Sequence, residues 1–406
     1  MPQLNKLRTA LPGGLGGDTA PPSSARLRTA LTVFFALDGF LFAGWVVRIP
    51  AIKQQTGATA STLGLALLGV SAGAVITMML TGRLCRRYGS HAVTVVCGVL
   101  LSLSIALPAQ THSATALGLV LLVFGAAYGG MNVAMNSAAV DLVAALRRPV
   151  MPSFHAAFSL GGMIGAGLGG LVAGGLSPAT HLFALTGVGL IATAALGPTL
   201  LRHPSRSAAP AASQAPSAPK RRLDGRARRV VLLFGVIALC TAYGEGALAD
   251  WGALHLEQDL DAHPGLAAAG YSLFALTMTI GRLTGTTLLE RFGQTRTLVL
   301  GGATAAAGML LGALAPTVWL ALVGFAVTGL GLANIFPVAV SRAGELAGPS
   351  GVAAASTLGY GGMLLGPPAI GFLADWFSLP VALTTVALLA MGAAVLGYGA
   401  RNATHT

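Results

Sequence analysis

From residue 29 to residue 400 the chain is a succession of apolar runs, each about 20 residues long, parted by short polar breaks. A helix needs about 20 apolar residues to cross roughly 30 Å of hydrocarbon. Repeated at that length, the pattern specifies an all-α integral membrane protein. Twelve runs can be marked: 29–49, 62–82, 92–110, 115–140, 154–176, 180–200, 229–249, 267–289, 297–315, 318–340, 351–373 and 379–400. Composition agrees. Charged residues are only 9% of the chain and hydrophobic ones 54%, whereas a soluble protein is about a quarter charged. The mean hydropathy of +0.76 points the same way.

The formal net charge of +12 invites a nucleic-acid partner, but its placement argues against one. With the N-terminus in the cytoplasm, 21 of the 24 Lys and Arg residues fall in cytoplasmic segments; Arg48 and Lys53 fall outside and Arg282 within a span. That is the positive-inside bias. It puts both termini in the cytoplasm of a multi-pass plasma-membrane protein. Asp250, Glu257, Asp259 and Asp261 follow the seventh run on the opposite side. Cys85, Cys97 and Cys240 are spaced for neither a disulfide framework nor a zinc site. The first apolar run is too long for the core of a cleavable signal.

Residues 1–25 are rich in Gly, Pro and Ser and are expected to be a disordered cytoplasmic N-terminus. Residues 202–228 crowd Arg and Lys among Ala, Pro and Ser. They read as a cytoplasmic linker, too polar to span and too Pro-rich for a stable helix. The linker separates residues 26–201 from 229–401, six runs on each side, and leaves a tail of 402–406. The halves repeat one another. Asp38-Gly39 and Gly44-Trp45 in the first run answer to Glu245-Gly246 and Asp250-Trp251 in and after the seventh. Gly161-Gly162-Met163 answers to Gly361-Gly362-Met363, and the turn ending at Gly89 to the one ending at Gly293. Several matches in order at one offset indicate duplication into two pseudo-symmetric six-helix bundles.

Six runs plus six, a basic central segment and an Arg-x-Gly turn after the second and eighth runs resemble the major facilitator superfamily, over residues 26 to 400. In the first of those turns Gly82, Leu84, Arg87 and Gly89 match the family pattern. Arg86 replaces its acid, and Ser90-His91 its basic pair; Glu290-Arg291 keeps acid and base in the second turn. Phe42-Ala43-Gly44-Trp45 with Arg48-Ile49-Pro50, Ser153-Phe154-His155 with Phe158-Ser159-Leu160-Gly161, and Glu245-Gly246 with Asp250-Trp251 look like the YbjJ-like branch. That branch is similar to fucose–proton symporters. The resemblance implies alternating access around a cavity near the bilayer midplane, as internal repeats of this kind provide.

A carboxylate inside a span is costly and marks a functional position by default. Desolvation favours the neutral form of an acid, so Asp38 and Glu245 are expected to carry coupling protons. The alternatives are structural acids bonded to a neighbouring helix, or direct substrate binding. Asn132 and Asn136, four apart on one face, suit a hydroxyl-rich substrate, or else bond helix to helix. Trp45, Tyr243, Asn334 and Tyr360 complete the expected substrate lining. His155 and Arg282 are expected at gating or packing positions, with Glu290 a possible partner of Arg282. Asp250 and Trp251 would line the outward mouth or anchor at the interface. Asp141 reads as structural.

No nucleotide-binding, metal-ligand or nucleophile pattern is apparent, so neither an enzyme nor a bound cofactor or metal is expected. The sequence predicts a secondary active transporter, acting as a monomer in membrane lipid on a small molecule, with protons as the coupling ion. Uptake of a polar or sugar-like solute is the first reading. Efflux of a drug or metabolite is the second, and a non-transporting sensor on the same scaffold a third.

Overall fold

A computed structural model describes residues 22–146, 150–203 and 225–402. The segments expected to be a disordered terminus, a basic linker and a tail lie almost wholly outside the described residues. Thirteen α-helices follow in order, with no strand among the described residues. The first half holds α1 (Pro22–Val46), short α2 (Ile49–Thr56), α3 (Ala60–Tyr88), α4 (Ser90–Ser104), α5 (Ala114–Leu146), α6 (Met151–Ala173) and α7 (Pro178–Leu201). The second holds α8 (Gly225–Gln258), α9 (Pro264–Leu283), α10 (Gly285–Ala313), α11 (Val318–Leu332), α12 (Ile335–Trp376) and α13 (Leu379–Gly399). Thr59, Ser177, His263 and Ser378 cap α3, α7, α9 and α13, each side chain accepting from a backbone N–H of the first turn. Those amides have no intrahelical partner.

Among the described residues, eleven helical segments are long and apolar enough to cross a membrane. The remaining run, 351–373, is helical too, as the second arm of the 42-residue α12. Its glycines, Tyr360 and Pro367-Pro368 dilute its apolar character. The two arms of α12 are not collinear. Gly351 packs on the Ala343 carbonyl, eight residues back, which a straight helix would hold about 12 Å away. The eighth run is not one helix as expected. It breaks at Thr284, between α9 and α10.

The repeat is built into the backbone. Gly89, between α3 and α4, has φ 86° and ψ 144°; Gly293, inside α10, has φ 74° and ψ 168°. Side chains other than hydrogen disfavour that region strongly. Both glycines therefore turn the chain from one span into the next. Gly161 brings α6 against the Ala36 carbonyl of α1, and Gly362 brings α12 against the Leu239 carbonyl of α8. A methyl group at either position would overlap the opposing backbone. Small residues let membrane helices approach this closely.

α3 meets α12, and α6 meets α9, across the boundary between the halves. One hydrogen bond joins the halves beside the cavity, Ser71 Oγ donating to the Met363 carbonyl at 3.3 Å; the others among the described residues gather at the end that carries α2. Lys53 Nζ donates to Gln258 Oε1 at 2.9 Å and Gln54 Nε2 to Glu257 Oε1 at 3.4 Å. Asp375 of α12 accepts from the Ala60 and Ser61 amides of α3 at 3.0 and 2.9 Å, and from the Ser61 hydroxyl. At the same end, Arg48 is buried. Its Nε donates to His181 Nδ1 at 2.8 Å, and its other nitrogens reach the Ala173, Leu176 and Val172 carbonyls at 3.2, 3.1 and 3.4 Å. One guanidinium thus ties the α1–α2 turn to the ends of α6 and α7.

Candidate functional site

Between the halves lies a cavity of about 260 Å³, walled by α1, α3, α5, α6, α8, α9 and α12. Glu245 enters it from α8, where the neighbouring Gly246 keeps the wall open. Arg282, in the last turn of α9, donates from Nη2 to Glu245 Oε1 at 3.1 Å. Both side chains are part-exposed within the cavity, Arg282 at 44% and Glu245 at 27%. Arg282 Nε also reaches the Ala333 carbonyl at 3.4 Å, at the break between α11 and α12. The partner suggested by sequence, Glu290, is not the one used. A residue two turns along loses to one facing it across a helix interface, because α9 ends one residue beyond Arg282.

Asp250 lines the same cavity, five residues beyond Glu245 on α8. Among the described residues, no hydrogen bond or ion pair engages its carboxylate. Tyr271 of α9 lies within electrostatic reach of Glu245, Asp250 and Arg282. Tyr128 of α5 and Tyr360 of α12 add two more phenols. Ser71, Ser159 and Thr279 supply aliphatic hydroxyls, and the remaining wall is apolar, with Phe42, Trp45, Phe158 and Phe274 its aromatic members. Phe42 stacks on Tyr128 at 5.0 Å between ring centroids, and Trp45 tilts against Phe124 at 6.3 Å.

Asp38 does not line the cavity. It is fully buried, and among the described residues neither carboxylate oxygen has a hydrogen-bond partner. Asn132 faces it without reaching hydrogen-bond geometry, and Tyr128, one turn earlier on α5, stands within electrostatic reach. Asp38 therefore sits behind the cavity wall, with Tyr128 belonging to both environments.

Of the residues expected to bind substrate, Trp45 and Tyr360 line the cavity and four do not. Asn136 turns its Nδ2 onto the Asn132 carbonyl at 2.8 Å, the bond of one turn to the next. Tyr243 is buried, its hydroxyl within 2.9 Å of Thr385 Oγ1. Asn334 donates to the Gly281 carbonyl at 2.8 Å and so fastens the α11–α12 break to the end of α9. His155 packs edge-on against Phe35 at 5.6 Å, outside the cavity lining. Trp251 is fully buried, its Nε1 without a partner among the described residues, so it is neither at the mouth nor an interfacial anchor. Ser71, Tyr128, Ser159, Tyr271 and Thr279 were not foreseen. Tyr128 could have been found, being four residues before Asn132 on the same face; Tyr271 has no comparable signal.

The Major Facilitator Superfamily model matches residues 29–286 and 234–405. An uncharacterised MFS-type transporter of Yersinia pestis is 34% identical over 373 residues, which cover 91% of this chain and 94% of that one. Two solved structures share the fold. The nucleoside transporter NupG superposes with a TM-score of 0.72 at 16% identity, covering 94% of this chain and 99% of its own. A bacterial homologue of the human lysosomal transporter Spinster, inward-facing and occupied, gives 0.79 at 15% identity, covering 95% and 98%.

Proposed function

The chain belongs to the major facilitator superfamily, a family of membrane transporters and not of enzymes, and from that premise we propose that it moves a small organic solute across the cytoplasmic membrane by proton-coupled alternating access. The observation that carries this reading is the Glu245–Arg282 pair, held at 3.1 Å in the wall of a cavity between the two halves. A proton arriving on Glu245 removes the charge that holds Arg282. The pair then opens, and the α8–α9 contact becomes free to change. A ligand shifts such an equilibrium only through unequal affinity for the two states; here the proton and the solute each alter what Arg282 can pair with. Asp38 is the second proton store. An unpaired buried carboxylate costs several kcal/mol, so it keeps its proton until Tyr128 and Asn132 move aside.

The positive-inside bias places the α2 end outside and both termini in the cytoplasm. With the halves joined at the α2 end, the cavity faces inward. One chain walls the whole cavity, so a monomer suffices. The hydroxyl-rich substrate suggested by Asn132 and Asn136 loses that support, since neither lines the cavity. Uptake remains the first direction, from the resemblance to proton–sugar symporters. The largely apolar wall favours, as a second reading, efflux of an apolar drug or metabolite.

A thermal-shift screen of purified protein against metabolites and drugs supplies a solute, since a ligand preferring the folded state raises its melting point. Flux of that solute in liposomes with an imposed pH gradient then tests the coupling. Glu245→Gln and Asp38→Asn should retain exchange and lose acceleration by the gradient. Unchanged gradient dependence in both variants refutes the proton scheme.

A further inference from the structure

The identity of the solute's charge can be argued from the cavity itself, granted the transport reading above. Three ionisable carboxyl or guanidinium groups line it: Glu245, Asp250 and Arg282. Arg282 is already engaged, by Glu245 at 3.1 Å and by the Ala333 carbonyl at 3.4 Å. Pairing those two leaves Asp250, which has no hydrogen bond or ion pair among the described residues. The protein thus presents one acid more than it has bases at this wall.

Asp250 shares its cavity with several rings. Tyr271 is within electrostatic reach of it, and Tyr271 tilts against Phe274 at 6.4 Å on the same helix. Across the cavity stand the stacked Phe42–Tyr128 pair and Trp45. A carboxylate bordered by low-dielectric walls attracts a cation more strongly than one in bulk water does. Aromatic faces add their own attraction for ammonium groups, and most for those with weak hydration.

The competing ligand chemistries fare worse. An anion would compete with Glu245 for Arg282 and lie beside two acids. A neutral polyol can donate hydroxyls to Asp250 but leaves its charge without a counterion. A metal ion wants several oxygen ligands, and no cluster of three or more His, Cys, Asp or Glu side chains is present among the described residues.

We propose that the solute is a small amphipathic organic cation, an amine or quaternary ammonium whose head pairs with Asp250 while its apolar body lies on the rings of α1, α5 and α9. Glu245–Arg282 is then the neighbouring switch that the same head approaches and biases.

The test uses three probes of similar size: phenyltrimethylammonium, benzyl alcohol and benzenesulfonate. The first is permanently charged, so pH does not change its form. Binding to the purified full chain is measured by isothermal titration calorimetry. Phenyltrimethylammonium should bind at least tenfold tighter than benzyl alcohol, and benzenesulfonate should not saturate. Asp250→Asn should weaken the cation at least tenfold and leave benzyl alcohol unchanged. Arg282→Gln, which frees Glu245, should tighten the cation. Equal affinity for the three probes, preference for the anion, or indifference of the cation to Asp250→Asn would overturn the proposal. If Asp250→Asn does not fold, the Arg282→Gln result decides, and no gain there overturns it. Proton-driven flux of an uncharged or anionic solute would sink this inference and leave the transport reading standing. Asp250-dependent cation binding with no flux in liposomes would do the reverse.

Discussion

Removing the Asp375 carboxylate should unseal the end of the molecule that carries α2. Asp375 belongs to α12, yet it accepts from the first amides of α3, Ala60 N at 3.0 Å and Ser61 N at 2.9 Å, and from the Ser61 hydroxyl. It acts as an N-terminal cap supplied by the opposite half. Losing a cap costs roughly 0.5–2 kcal/mol, and a charge at a helix N-terminus adds about 0.3–1 kcal/mol where it is exposed. Asp375 is exposed, so the low end of the sum applies, about 1–2 kcal/mol. That is a shift of roughly 5- to 30-fold toward the state open at this end. The cap exists only while the halves touch, so the whole effect falls on the conformational equilibrium and little on folding. Spin labels on cysteines placed at Ala58 and Phe377 report the change as a longer distance distribution in Asp375→Ala than in the parent. The three native cysteines are buried, which keeps background labelling low. Burial is the largest single influence on the Asp375 pKa and pushes it up, but bonds from the Ser61 hydroxyl and amide, Thr59 and the Ala60 amide together outweigh it and hold it below the usual value. The sealed state therefore gains this contribution fully above the open-state pKa, about 4. It loses it as pH falls through the lower, sealed-state value. Between pH 5 and 8 the cap does not titrate, so any pH response of transport in that range must arise elsewhere. A distance distribution identical in parent and Asp375→Ala would refute the assignment of this cap as a seal.

Two further perturbations test the scaffold. Arg48→Ala strands His181 Nδ1 and three backbone carbonyls and should cost about 3 kcal/mol, read as a lowered melting temperature in detergent; Arg48→Lys should recover little, because an ammonium cannot reproduce the guanidinium fork. Gly161→Val and Gly362→Val should each cost about 1–3 kcal/mol by overpacking and slow flux. Gly167→Val on the same α6, where an added Cβ meets nothing within 4 Å, should be near silent in both assays.

The spans, the duplication and the two glycine turns were legible because each leaves a one-dimensional trace: apolar length, ordered matches at one offset, and a residue type tied to one backbone region. Gly161 and Gly362 pair by sequence alone, and both press their helices onto an opposing carbonyl. Depth along a span was legible as well, which is why Trp45, Glu245 and Tyr360 reach the cavity wall. Azimuth was not. Helical periodicity states which residues share a face and is silent on what that face meets. Asn132 and Asn136 share a face, but it turns toward Asp38 and their own helix rather than the cavity. Asp250 and Trp251 were read together because they are adjacent. Adjacent helical positions point about 100° apart, and here one lines the cavity while the other is buried in the core. Arg282 was given a partner on its own helix, where the structure supplies one from α8.

The two halves share mechanics but not chemistry. Gly89 and Gly293 make the same turn, and α1–α6 and α8–α12 make the same close pair. Yet the two matched acids sit in opposite surroundings. Asp38 is enclosed, faced by Asn132 and with no hydrogen-bond partner among the described residues, and Glu245 faces the cavity with a guanidinium at 3.1 Å. A symmetric scaffold with two equivalent acids would load and release protons at both sites together and gain no ordering from it. Unequal sites impose a sequence. In the proposed scheme Glu245 stands open to the cavity in the state seen here, whereas Asp38 is reached only after its wall moves. Under that scheme the order in which solute and proton leave follows from which contact must break first, and the Tyr128 ring, close to Asp38 and lining the cavity, is where the two proposed events meet.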